Sequence, residues 1–259
     1  DAPSDGIGPL RGAPGSLSKD YIFGAEAWGR ATTDAGSLLD KSPAALGLGV
    51  QRRTPIVNDP RVRGGRVGQL AASGSYWVPA RIDLDTALSK IDSRQISSME
   101  VIKGPYSVMD GPGFHFVDVE LMPSPRFKDG FETHGSTGVD YKLNGQQWYG
   151  RQALWMGDKN WGARFSYGHR TGNDYTTGFD TEVPSSYKSR DADLALGFDT
   201  QSGDHVEFNY LRLDQTDVEY PGQAFDIDVL VTDGYELSYV SERVGFCDQL
   251  DTDMWYNRT

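Results

Sequence analysis

The sequence predicts a small α+β domain followed by antiparallel β-strands of barrel type. Three observations lead there: a change of residue period near Phe127, an aromatic- and glycine-rich composition, and connections of two contrasting lengths. The 259 residues include 31 Gly, 13 Tyr and 6 Trp, with 12% aromatics, a balance that suits strands and turns better than a helical enzyme. The net charge of −12 argues against a nucleic-acid partner, because phosphate binding needs a basic stripe. A single cysteine, Cys247, excludes an internal disulfide and a cysteine-based zinc site. The opening DAPSDGIGPL has neither the basic start nor the apolar run of a signal peptide, so either the protein is cytosolic or its signal has been removed. No stretch of 18 apolar residues is present, so no transmembrane helix is expected. Membrane barrels stay open, since their signature is alternation.

Residues 1–20 are Gly, Pro, Ser and Asp with little to bury, and read as a flexible leader. KDYIFGA reads as a first strand. In TTDAGSLLDKSPAAL, Asp34 is placed to cap a short helix that carries Leu38 and Leu39 and stops at Ser42-Pro43. RRTPIVNDPRVRGGRVGQ reads as two short strands broken by proline and glycine. Leu84, Leu88 and Ile91 share helical spacing, and a strand follows through Met99–Ile102.

After Phe127 the period becomes two. Phe131, Thr133, Thr137, Val139 and Tyr141 alternate with Glu132, His134, Ser136 and Asp140. Trp161, Ala163, Phe165 and Tyr167 alternate with Gly162, Arg164, Ser166, Gly168 and Arg170. Ala192, Leu194, Leu196 and Phe198 alternate with Asp191, Asp193, Gly197 and Asp199, and HVEFNY and YELSY repeat the pattern. Side chains of a strand point alternately to two faces, so each segment has one apolar and one strongly polar face. KLNGQQ and GDKN are short links, whereas 170–190 is a long polar connection. Short turns at one end and long loops at the other fit an outer-membrane barrel, and a soluble sandwich is the alternative. Charges at every second position favour a wet lumen. On that reading a charge at Leu196 is disruptive, and Asp193→Asn on the opposite face is mild.

RQISSMEVIKGPYSVMDGPG at 94–113 then becomes legible. Its glycines do not form a phosphate loop, because the terminal Gly-Lys-Ser/Thr is missing and the prolines remove donors. The run SLLDKSPA, then PRVRGGRVGQ, then ISSMEVIKGPYSVMDGPG resembles the plug of TonB-dependent outer-membrane receptors, with three motifs in the family's order. The resemblance implies an α+β plug domain at 21–126, followed at 127–259 by antiparallel strands of a transmembrane β-barrel that is incomplete in this chain. The family barrel has about twenty-two strands around a plugged lumen, and 127–259 has room for about six or seven, so the chain is expected to be part of a longer protein or to be completed by other chains. Glu100 falls where family plugs touch the lumen, or is simply a solvated charge. The family's coupling motif, the TonB box, is not found.

The resemblance also implies a function: an energised importer of the bacterial cell outer membrane, bathed in outer-membrane lipid, driven by TonB and gated by the plug, with no catalytic residues and no cofactor. Its ligand contacts are expected in LAASGSYWVPARID (70–83), at Tyr76, Trp77, Arg81 and Asp83, where flat apolar surface and charge combine. Copper-importing relatives use Cys or Met in that region and this segment has neither, so an iron–siderophore is the implied cargo, with cobalamin or a glycan as alternatives. His115, His134, His169 and His205 sit on separate segments without metal-ligand spacing. Asp83, Asp85 and Asp92 could imitate a glycosidase pair only at a separation that sequence does not give. A soluble β-rich carbohydrate-binding protein or hydrolase, and a structural outer-membrane subunit, are the competing readings.

Overall fold

The structure, a computed structural model, describes residues 19–27, 33–42, 48–62, 65–66, 69–72, 75–77, 85–103, 115–221, 225–242, 245 and 248–259. In chain order the first part holds β1 (Lys19–Phe23), α1 (Ala35–Lys41), β2 (Leu48–Thr54), β3 (Val57–Val62), β4 (Gly65–Arg66), β5 (Gln69–Ala72), β6 (Ser75–Trp77), α2 (Asp85–Lys90), β7 (Ile96–Lys103) and β8 (His115–Leu121). The second part holds β9 (Glu132–Lys142), β10 (Gln147–Gly157), β11 (Trp161–Gly172), the short β12 (Tyr175–Thr176) and β13 (Glu182–Val183), then β14 (Tyr187–Asp199), β15 (His205–Val218), β16 (Ile227–Ser241) and β17 (Leu250–Arg258).

The mixed grammar of the first part becomes a five-stranded sheet in the order β1-β7-β8-β5-β6, with β2-β3-β4 as a separate three-stranded sheet. Strand β1 begins at Lys19, so Lys19 and Asp20, expected in the leader, are already paired with Ile102 and Val101. Helix α1 starts where the cap predicts: Asp34 is extended and its Oδ1 accepts from the Ser37 amide at 2.7 Å, which satisfies one of the orphan donors of the first turn. The helices pack on the sheet through Leu38, Leu39, Leu88 and Ile91 against Ile22, Ile96, Met99, Val101, Val117 and Val119, all fully buried. Leu84, Gly104-Pro105 and Gly111-Pro112-Gly113 lie outside the described residues.

The alternating strands form one antiparallel meander, β9-β10-β11-β14-β15-β16-β17. Its seven members match the number for which the sequence has room. Alternation sorts the faces as predicted: on β14 the buried positions are Ser189, Asp191, Asp193, Ala195 and Gly197, while Leu196 and Phe198 are exposed. The polar face is the one against which the first part packs. Two leucines break the rule: Leu211 and Leu213 of β15 point inward and complete the core of the helices and first sheet.

One placement of the links is corrected. The 143–146 turn of KLNGQQ lies at the long-loop end, because the Asn173 amide donates to the Gly145 carbonyl at 2.7 Å and the Asn144 side chain both accepts from and donates to the Thr176 backbone at 2.9 Å. GDKN lies at the opposite end, beside the 200–204 turn, where the Asp199 amide donates to the Asn160 carbonyl at 2.7 Å. Successive connections in a meander must alternate ends, so two consecutive links cannot share one. At the loop end the plug hairpin tip seats Ile56 among Tyr187, Val218, Tyr220 and Ile227.

Candidate functional site at the plug and wall interface

The groups that hold the first part against the wall cluster at two N-caps. Asp34 turns its second carboxylate oxygen to the Arg170 guanidinium at 3.6 Å. Asp92 caps the turn at 93–95 through Oδ1, which accepts from the Arg94 amide at 2.8 Å. Its Oδ2 meets Arg151 Nε at 2.9 Å and accepts from the Tyr149 hydroxyl. Three residues on, Gln95 Nε2 donates to Ser166 Oγ at 2.9 Å and to Asp191 Oδ2 at 2.8 Å. Arg170 donates to the Lys90 carbonyl at 2.7 Å and stands 5.4 Å from the centre of the Tyr149 ring. Ser166 donates in turn to Asp193, and Arg164 donates to the Met122 carbonyl at 3.2 Å.

Two wall arginines, Arg151 and Arg170, thus meet three aspartates, Asp34 and Asp92 from the plug and Asp191 from the wall, with Arg164 and Asp193 beside them and each of these residues below 10% exposure. In a low dielectric the attraction and the desolvation cost are both large, so such pairs set position more than they add net stability. The seam is also not fully satisfied: among the described residues Gln95 Oε1, Asp191 Oδ1, Ser189 Oγ and both amide atoms of Gln215 are buried without a hydrogen-bond partner. It is therefore unlike the apolar core beside it, and it is the weaker of the two surfaces against rearrangement.

The expected site residues are only partly placed. Tyr76 and Trp77 lie on β6, an edge strand paired with β5 through Ala71↔Tyr76 and Leu70↔Trp77, so this stretch is half hairpin, not one loop. Arg81 and Asp83 lie outside the described residues. Glu100 lies on β7. It accepts from the Tyr21 hydroxyl at 3.1 Å, inside the plug sheet. Asp92 has no glycosidase role open to it, being fully buried and committed to Arg151. Asp193 is no mild position either, since it is 5% exposed and bonded to Ser166. Among the described residues no group of three or more possible metal ligands exists. His134 pairs with Glu132 at 2.7 Å, and His205 stands between Asp199 and Glu207 at 2.5 and 3.5 Å. Sequence reading saw Asp34 as a cap and Arg164 and Arg170 as lumen charges. It missed that caps and arginines are partners, because nothing local links Asp92 to Arg151 or Asp34 to Arg170.

A second candidate lies at the loop end. A crevice of about 600 Å³ is lined by Asn144, Gln146, Asn173, Asp174, Glu182 and Glu219, among others. The Ser185 amide, with that of Ser186, donates to Asp174 and holds its carboxyl below the usual range. Among the described residues three carboxylates and no lysine or arginine line the crevice, a lining that does not attract an anionic chelate.

No protein-family model and no curated protein sequence matches the chain. Among solved structures it is similar to the copper transporter OprC, with 21% identity and a TM-score of 0.78 over 92% of this chain and 37% of that one. It is similar to the siderophore receptor PirA from Acinetobacter baumannii, with 13% identity and a TM-score of 0.70 over 93% and 40%. The FrpB iron transporter from Neisseria meningitidis gives 13% and 0.68 over 92% and 40%. The chain spans 37–40% of the length of these three structures. With an α+β plug docked by buried ion pairs onto the polar face of seven barrel strands, this chain has the fold of the TonB-dependent outer-membrane receptors.

Proposed function

We propose that the chain is the plug, residues 21–126, and the opening wall strands, 127–259, of an energised importer in the bacterial outer membrane. TonB pulls the segment ahead of β1, the plug is remodelled inside the barrel, and a scarce nutrient passes. The role is binding and gating, without bond chemistry. The observation that supports this reading best is the buried but incompletely satisfied polar seam between plug and wall: a plug meant only to seal a pore would gain more from an apolar interface.

For the cargo we propose an iron–siderophore. Structural neighbours are named for ferric enterobactin, siderophores, iron and copper. Segment 70–83 contains neither Cys nor Met, the soft ligands that copper(I) favours. Tyr76, Trp77, Arg81 and Asp83 are the proposed contacts. The test is uptake of a panel of ferric chelates by cells with and without TonB. Trp77→Ala and Arg81→Ala should each cost about 1–3 kcal/mol of ligand binding while the amount of receptor in the outer membrane stays near normal. Wild-type uptake in both variants refutes the contact assignment. Recovery of the protein as a freely soluble species without detergent refutes the membrane reading and favours a soluble carbohydrate-binding protein or hydrolase.

A further inference from the structure

Residues 122–127, MPSPRF, join the last plug strand to the wall, and the wall is shaped to receive them. Gly157, Gly162 and Gly197 are consecutive partners across β10, β11 and β14, and Gly197 pairs onward with Glu207 of β15. A Cβ on Gly162 would lie 1.9 Å from the Pro125 carbonyl oxygen, and one on Gly197 would lie 2.0 Å from Ser124 Oγ. The joining segment therefore rests directly on the backbone of the sheet, in a trough that no larger residue leaves open.

Polar contacts close over it. Glu207 accepts from the Ser124 amide and from its hydroxyl, both at 2.6 Å. Arg126 forks onto Asp199 at 2.7 and 3.2 Å, with a further donation to Ser124 Oγ at 2.8 Å, a paired geometry stronger than a single neutral bond. The Met122 amide donates to Gln95 O at 2.8 Å and the Phe127 amide to Asp158 O at 3.0 Å. Pro123 and Pro125 have no amide hydrogen to satisfy and stiffen the run. The other end of the plug is held differently. Strand β1 has five residues and, among the described residues, is an edge strand paired only with β7.

We infer that 122–127 is a strap that fixes the plug's C-terminal end to the wall, so that a pull on the N-terminal side strips β1 from β7 and leaves the strap seated. Ser124, Arg126, Asp199 and Glu207 then serve to seat the strap on the wall. The direction of the pull rests on the import reading above; the seating of the strap does not.

Two measurements test it. In the purified full-length receptor, amide hydrogen exchange over 122–127 should be at least about tenfold slower than over 19–23. Equal or faster exchange in the strap overturns the inference whatever the protein transports. In a Cys247→Ser background, oxidising the pair Ser124→Cys with Glu207→Cys should leave TonB-driven uptake unchanged, whereas oxidising Tyr21→Cys with Glu100→Cys should abolish it until a reductant is added. Loss of uptake on tying the strap, or full uptake with β1 tied, overturns the inference. A wild-type receptor without TonB-driven uptake defeats the import reading alone, and the exchange result still decides the strap.

Discussion

The two faces of the wall are made from the same strands and obey different rules. Outward, β14 shows Leu194, Leu196 and Phe198, and its neighbours show Phe165, Tyr210 and Tyr235, with the Tyr210 and Tyr235 rings 4.9 Å apart. Inward, β14 shows Asp191 and Asp193, but β15 shows Leu211 and Leu213. Around Leu194, Leu196 and Phe198 the outward face is apolar, as alternation alone describes, and further along the same face Arg212 pairs with Asp233. The inward face meets the plug, whose surface changes from N-caps to core within a few residues. A wall residue there is polar or apolar according to what it touches, not according to depth.

The largest expected effect tests the polar part of that inward face. Asp92→Ala removes the ion-pair partner of the buried Arg151, and should lower the unfolding free energy of the plug–wall unit by about 3–5 kcal/mol, read by denaturant titration of the purified receptor. A loss near zero would mean that water already neutralises the seam. On the outward face, Leu196→Arg should impair assembly by about 2–4 kcal/mol if it lies near the bilayer midplane, measured as heat-modifiable protein in the membrane. Similar damage from Asp193→Asn is expected for another reason, the loss of the buried negative charge that faces Arg164 and Arg151, and only the first should be relieved by a thinner bilayer.

Lys90 sharpens the contrast on the plug side. Burial lowers its ammonium from 10.5 to about 8, with Asp214 opposing the shift. The unfolded chain keeps that proton up to about 10.5, so between about pH 8 and 10.5 the unfolded state binds more protons and stability rises with pH. Below about pH 8 the penalty of the buried charge is fully present. Lys90→Met should therefore stabilise the fold at pH 7 by about 2–3 kcal/mol and flatten the rise at alkaline pH in unfolding curves. A variant no more stable than the parent would place the ammonium in water. The smallest effect belongs to the exposed pair Lys188–Asp217, at 2.7 Å but about half solvent-covered or more on each side chain. Lys188→Ala should change stability by less than about 1 kcal/mol. A larger loss would show that salt bridges outside the seam share its character.

How much was legible follows from the range over which each feature is decided. The α1 cap at Asp34, the strand period after Phe127 and the outward Leu196 and Phe198 depend on neighbours within a few residues, so sequence carries them. The end of the wall at which the 143–146 turn lies depends on counting every strand, and was misjudged from link length alone. Tyr76 belongs to a hairpin because β5 and β6 find a sheet edge beside β8, which no local pattern announces.

By itself the sequence determined the two grammars, their order, the polar and apolar faces and the plug-like motifs, because propensity, capping and alternation act through adjacent backbone units. Only the tertiary structure decided that Asp92 meets Arg151, that Asp34 meets Arg170, and that Leu211 and Leu213 belong to the plug's core. It alone turned Gly157, Gly162 and Gly197 into one trough, since three glycines far apart in sequence become neighbours only when strand register is set. Burial and partnership are properties of contacts between distant segments, and a charge or a glycine takes its meaning from the group brought opposite it.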